Sequence, residues 1–241
     1  MSIVFGIHPV LEALQAGNVE KVCVGRGQKN PRIREILDLS RQKHVPVSIE
    51  EHEWLDRKSA GGRHQGVLCY VAEMPTIAAG DIISNAATPG LVLVLDGIED
   101  PHNLGAVLRS AEVAGADGAI IPQRRSAPLS AAAVKASAGA ASHLKVARVT
   151  NILREIEQLK EAGYWITGFD AAAGRPLWEI DFTGPTVLVL GGEGSGLHRL
   201  VKEKCDFLAS IPVRGRVASY NVSVAAGIAL YEVLRQRKKQ G

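Results

Sequence analysis

Continuous apolar runs recur along the chain, at residues 91–95, 119–121, 164–169 and 187–190. A strand covered on both faces reads this way, because it has no solvent side on which to alternate. Helical segments at residues 104–114, 129–137 and 152–162 separate the runs, with Asn151 as the cap of the last. Parallel neighbours need a crossover, usually a helix, so the alternation restricts this part to an α/β arrangement with a mainly parallel sheet. A further short strand is expected at 208–211 and a long helix at 222–237.

The first 71 residues form a smaller α/β unit by the same reading. Pro9 opens a helix over 10–16 and Gly17 closes it. Asn30 and Pro31 read as a cap and first helical position, with the helix running to about Lys43. Strands are expected at 22–24, 46–49 and 67–71, and a short helix at 51–59. Residues 72–90 carry Pro75, Gly80, Pro89 and Gly90 with little periodicity. They read as a linker holding one helical turn around Ile82. The expected organisation is therefore a domain at 1–71, a linker at 72–90 and a second domain at 91–241.

Composition narrows the function classes. The chain is 46% hydrophobic and 22% charged with a net charge of +3, an ordinary soluble composition. Mild basicity permits a nucleic-acid partner without singling one out. Cys23, Cys69 and Cys205 lie far apart, so buried thiols in a reducing compartment are expected and a metal site is not. The first residues lack a basic leader and carry Glu12 within their apolar stretch. No apolar run approaches the ~20 residues that span a bilayer. A cytoplasmic protein without a membrane partner is expected.

Open parallel sheets bind ligands at the carboxyl ends of their strands. Three segments there carry polar or glycine-rich patterns. The first runs from Asp96 through Asn103 and Gly105 to Arg109, with Asn103 expected to cap the helix and Arg109 about a turn and a half in. The second follows the run at 187–190 and places glycines at 191, 192, 194 and 196 around Glu193. Such glycines let a backbone pass close to a ligand, or make a tight turn. No register of these glycines has the dinucleotide-binding spacing, and Leu197 stands where a phosphate loop needs lysine. The third runs from Ile211 through Arg214, Gly215 and Arg216 to Ser219, Tyr220, Asn221 and Ser223. Either Ser219 or Asn221 suits the cap of the final helix.

Together these segments resemble the three motifs of the SpoU/TrmH family of RNA ribose 2′-O-methyltransferases. Asn103, Gly105 and Arg109 match the first, Gly191 through Gly196 the second, and Ile211 through Ala225 the third. Residues Phe5 to His8 and His64 to Gly66 resemble the family's substrate-binding domain. Residues 95–105 and the Arg235-Gln236-Arg237 ending are similar to the group acting on a guanosine in the P loop of large-subunit (23S) rRNA. Tyr220 departs from the leucine expected there.

The resemblance implies a SPOUT-type second domain with a parallel sheet and a deep trefoil knot between about Gly191 and the final helix. It implies a ribosomal-protein-like RNA-binding unit before it, and a homodimer through the knot and last helix. S-adenosyl-L-methionine would bind at Leu190, Gly191, Gly192, Gly194, Ile211 and Tyr220, largely through backbone. Arg109 would be the central catalytic group, with Asn103, Glu193, Ser219 and Asn221 orienting it and the ribose. A basic set including Arg26, Lys29, Arg63 and His64 would meet RNA phosphates. Alternatives are methylation of tRNA or another rRNA site, and an inactive RNA-binding protein.

Overall fold

A computed structural model describes the chain except Met1, Asn18, Lys29, residues 72–75, residues 141–142, Ser195 and residues 239–241. Lys29 of the basic set, Ser195 of the glycine motif and part of the expected linker thus lie outside the described residues. The chain divides into two compact units, Met1–Met74 with Pro128–Lys135, and Pro75–Ala127 with Ala136–Gly241.

The first unit runs β1 (Ser2–Phe5), α1 (Ile7–Ala16), β2 (Val19–Gly25), α2 (Pro31–Gln42), β3 (Val47–Glu50), α3 (His52–Lys58) and β4 (Val67–Val71). Its sheet order is β1-β4-β2-β3, with β4 antiparallel to both neighbours and β2 parallel to β3. Successive strand residues face opposite ways. Val22 and Val24 therefore pack with Val10, Leu14, Ile33 and Ile36 of α1 and α2, while Cys23 packs with Leu55 of α3. Asn30 caps α2 as expected, its Oδ1 accepting from the Arg32 amide at 3.0 Å. Gly17 ends α1 in the left-handed conformation at φ 86°.

The second unit contains α4 (Ala79–Ser84), β5 (Leu91–Asp96), α5 (Pro101–Val113), β6 (Gly118–Pro122), β7 (Lys145–Val149), α7 (Ile152–Glu161), β8 (Trp165–Phe169), β9 (Thr186–Gly191), α8 (Arg199–Lys204), β10 (Phe207–Ala209) and α9 (Val222–Lys238). Helix α6 (Ala131–Ala136) falls largely in the segment belonging to the first unit. The sheet order is β10-β8-β9-β5-β6-β7 and each adjacent pair is parallel. Every residue of β5 is buried, as its uninterrupted apolar run requires. Asn151 caps α7, accepting from the Leu153 and Arg154 amides, and Ile152, Ile156 and Leu159 form its buried stripe.

Within the stretch expected as a linker, α4 buries Ala79 and Ile82 against Val92, Ile120 and Ala147. The end of α9 is tied down by its own polar residues. Arg237 donates to the carbonyls of Phe182, Pro89, Gly90 and Gly184. Gln236 bonds Phe182 and Ile180. Cys23 and Cys69 are buried and Cys205 partly so; burial pushes the Cys69 and Cys205 thiols up to about 12. Among the described residues no helix is long and apolar enough to cross a membrane.

Candidate active site

β5 and β9 are neighbours in register, with Asp96 opposite Gly191. The loops leaving their carboxyl ends therefore start side by side, and the Gly192 amide donates to the Asp96 carbonyl at 2.9 Å. Strand order reverses here, with β6 and β7 on one side of β5 and β8 and β9 on the other. Crevices open at such a point because the connections leave it in opposite directions.

The glycines are required by chain packed on chain. A Cβ on Gly191 would lie 2.1 Å from the carbonyl carbon of Gly196, and one on Gly192 would lie 2.1 Å from the Gly97 oxygen. Any side chain at either position collides with protein backbone before a ligand is considered.

The start of α5 corrects the expected role of Asn103. The helix begins at Pro101, and Asp100 is its cap, with Oδ1 accepting from the His102 amide at 2.9 Å. Proline suits the first helical position because its missing amide proton has no partner there. Asn103 is thereby released from capping and lies buried in the first turn. Its Nδ2 donates to Glu193 Oε1 at 2.7 Å, and its Oδ1 accepts from Asn221 Nδ2 at 3.0 Å. Asn221 Nδ2 also donates to Glu193 Oε1 at 2.8 Å. Asn221 Oδ1 accepts from the Ser223 amide at 2.9 Å, so Asn221, of the two candidates, holds the start of α9. One polar network thus joins the three motifs, although its members stand 90 and 118 residues apart. Glu193 is exposed and held by these two amides.

A cavity of about 520 Å³ lies beside this network. Its lining includes Leu190, Gly191, Gly192, Gly194, Ile211 and Tyr220, together with Glu193, Ser219 and Asn221. The Tyr220 hydroxyl donates to the Pro212 carbonyl at 3.5 Å, so its side chain closes over the loop as well as lining the cavity. Arg109 lies apart from this arrangement. It is exposed on α5, lines neither this cavity nor the one beside it, and has no hydrogen-bond partner among the described residues.

Two charged pairs escaped the reading of the sequence. Asp170 follows β8 and pairs with Lys202, both lining the cavity. The Lys202 ammonium holds the Asp170 carboxyl below the usual range, with the Ala172 amide adding to the effect. Asp96 ends β5 and binds His198, whose Nδ1 lies 2.9 Å from each carboxylate oxygen and whose amide donates at 2.8 Å. Both aspartates directly follow an apolar run at a strand's carboxyl end, which was the available signal.

In the first unit, His64 is buried and committed. Its Nε2 lies 2.9 Å from Asp56 Oδ1, and its Nδ1 accepts from the Gly66 amide at 3.0 Å. This corrects its expected place among RNA-facing side chains: the ring shapes the turn that carries Arg63. Arg26 is exposed and paired with Glu51 at 3.1 Å.

The cavity's lining is mixed. Leu190, Ile211 and Val213 offer apolar surface, the glycine loop offers backbone groups, Glu193 brings a carboxylate, and Asp170 is balanced by Lys202. Residues 90–231 match the SpoU rRNA Methylase family, and residues 3–76 match the RNA 2′-O ribose methyltransferase substrate-binding family. The 23S rRNA (guanosine-2′-O-)-methyltransferase RlmB of Pseudomonas aeruginosa is 40% identical, covering 97% of this chain and 96% of its own. The putative TrmH family tRNA/rRNA methyltransferase YacO of Bacillus subtilis is 39% identical, covering 99% and 97%. The crystal structure of the SpoU methyltransferase AviRb from Streptomyces viridochromogenes in complex with AdoMet superposes with a TM-score of 0.64 at 28% identity, over 98% of this chain and 90% of that one. By its matched residues and its full-length relatives, the chain belongs to the SpoU rRNA methylase family.

Proposed function

We propose that the protein methylates the ribose 2′-hydroxyl of a guanosine in the P loop of 23S rRNA. The observation that carries this reading is the Asn103–Glu193–Asn221 network, which brings all three motifs to the edge of the cavity. As a SpoU methylase the protein uses S-adenosylmethionine, which supplies a methyl group on a sulfonium. Leu190, Gly191, Gly192, Gly194, Ile211 and Tyr220 would hold it, the glycines through backbone.

A guanidinium offers only N–H donors and no acceptor atom, so Arg109 is a poor base. It acts instead as a fork that positions the 2′-oxygen and a neighbouring phosphate and stabilises developing charge. Asn103, Glu193, Ser219 and Asn221 orient the ribose. Val113 of α5 and Val224, Tyr231 and Leu234 of α9 are exposed, and these helices pack together. A homodimer through this surface would cover them, and Arg109, one turn from Val113, would stand at its boundary.

The knot expected for the second unit is part of this reading. The backbones pressed together at Gly191, Gly192, Gly97 and Gly196 support it, as does the return of residues 211–221 along the cavity. The first unit would be the ribosomal-protein-like RNA-binding arm, with Arg63 and Arg26 meeting phosphates, and the protein would work in the cytoplasm. Mapping 2′-O-methylation in RNA from a deletion strain tests the assignment. Loss of one guanosine methylation in 23S rRNA, restored by the purified protein and S-adenosylmethionine, is expected. A lost mark in tRNA would overturn it.

A further inference from the structure

A second cavity of about 340 Å³ adjoins the first, and Glu193 lines both. Asn103 stands in the wall of the second cavity and Asn221 in the wall of the first, each bonded to the same Glu193 oxygen. Glu193 therefore borders both cavities, next to the side chains that join the motifs.

The walls of this cavity are pinned. Gly97, at φ 80°, begins the loop after β5, and a Cβ there would meet His198 Cε1 at 3.4 Å. A carboxylate only accepts, so His198 Nδ1 carries the proton it donates to buried Asp96. The opposing loop is held by the Ala127 amide, which donates to the Ile98 carbonyl at 2.7 Å. Arg125 in that loop takes a left-handed φ of 54°, unusual for a residue with a side chain.

The charges lining the cavity differ in whether they are already used. Asp100 caps α5, and His198 is bound to Asp96. Glu99 and Arg125 line the cavity, are exposed, and have no hydrogen-bond or ion-pair partner among the described residues. With Glu99, Asp100 and Glu193 together the cavity repels a phosphate. A neutral ligand with donors on one edge and acceptors on the other fits better. Guanine has that pattern: N1–H and the 2-amino group donate on one edge, and O6 and N7 accept on the other. Adenine and the pyrimidines each carry donors and acceptors, but none has guanine's adjacent pair of donor groups on one edge.

We propose that this cavity receives the base of the target nucleotide and selects guanine, with Glu99 accepting from N1–H and the 2-amino group and Arg125 donating to O6 and N7. The inference rests on the reading of the protein as a guanosine 2′-O-methyltransferase, and His198 supplies a flat side wall on which the base can lie.

The test uses the full-length protein and a 23S rRNA fragment carrying guanosine, inosine or 7-deazaguanosine at the methylated position. Inosine lacks the 2-amino donor, and 7-deazaguanosine lacks the N7 acceptor. Both kcat/KM and cofactor-free binding by fluorescence anisotropy are measured. The wild type should favour guanosine over either analogue by roughly tenfold or more. Glu99→Ala should lower kcat/KM for guanosine by about the same factor and treat guanosine and inosine alike. Arg125→Asn, which tolerates the left-handed backbone, should do so for 7-deazaguanosine. Calorimetry should find S-adenosylmethionine affinity within about threefold of wild type in both variants, because the cofactor cavity is separate. Retention of the wild-type preference in either variant overturns the assignment, as does a wild type that methylates guanosine and inosine equally. Loss of cofactor affinity in Glu99→Ala also overturns it. A wild type that methylates a different nucleotide overturns the proposed function itself, and the pocket with it.

Discussion

In the first unit His64 makes its bonds locally, tying Asp56, eight residues away, to the Gly66 amide. In the second unit the corresponding groups join distant parts of the chain, as Asn103, Glu193 and Asn221 do. The difference is the one expected if the first unit meets RNA and the second carries the transfer, as proposed. A surface that meets a long polyanion works by spread charge and tolerates small displacements. A group-transfer site needs its polar atoms within tenths of an ångström, so each one is cross-braced.

Changing the residues of the proposed transfer site should therefore affect turnover far more than changing the basic surface. Asn103→Ala and Arg109→Ala should each lower kcat by about 10²- to 10³-fold while leaving S-adenosylmethionine affinity within several-fold. Arg109→Lys should also fail, because a point charge cannot reproduce the fork. Near wild-type single-turnover rates in the Arg109 variants would remove that residue from the chemistry.

Separating the units sharpens the comparison. A fragment beginning at Gly90 should fold and bind cofactor but lack Ala79 and Ile82, which lie in the core. It should be less stable by about 2–4 kcal/mol than one beginning at Pro75, as judged by urea melts. Both fragments should bind and methylate rRNA poorly, with a shallower salt dependence than the full chain, because fewer counterions are released. Equal slopes for fragment and full chain would show that the first unit does not recruit the substrate.

Arg237 tests whether the C-terminal helix is held by packing alone. Burial lowers its pKa, yet its donors reach four carbonyls. Arg237→Ala should cost about 1–3 kcal/mol, measured as a lower melting temperature, with kcat little changed at a temperature where the variant is folded. An unshifted melting temperature would mean water replaces the clamp at no cost.

The smallest effect is expected at the charged surface. Arg63→Ala should weaken RNA binding only several-fold and reduce the slope of log affinity against log salt by about one. A change in kcat instead would place Arg63 nearer to the chemistry than its loop implies.

Much of this architecture was legible because buried parallel strands carry an uninterrupted apolar signal. β5 and β9 stand out in the sequence for that reason, whereas β7 does not. Lys145 and Arg148 interrupt its apolar residues, and it lies at the sheet edge, with β6 on one side and a single bridge to Ile77 on the other. The motif residues were legible as short patterns, but their partners were not. Asp170 and Asp96 look like ordinary strand-ending carboxylates until Lys202 and His198 are seen beside them.

The amino-acid sequence by itself determined the alternation of strands and helices, the caps at Asn30 and Asn151, and the family to which the three motifs belong. Each of these depends on residues within a turn or two of one another, so a linear pattern records it. The tertiary structure alone decided that Asn103 and Asn221 meet on Glu193, and that Glu193 stands exposed between two cavities. It likewise decided that Gly192 is required by the Gly97 carbonyl. Those outcomes depend on which strand ends become neighbours. The Asp96–Gly191 register sets that, and it is a pairing made by the whole sheet between residues 95 positions apart rather than by either segment alone.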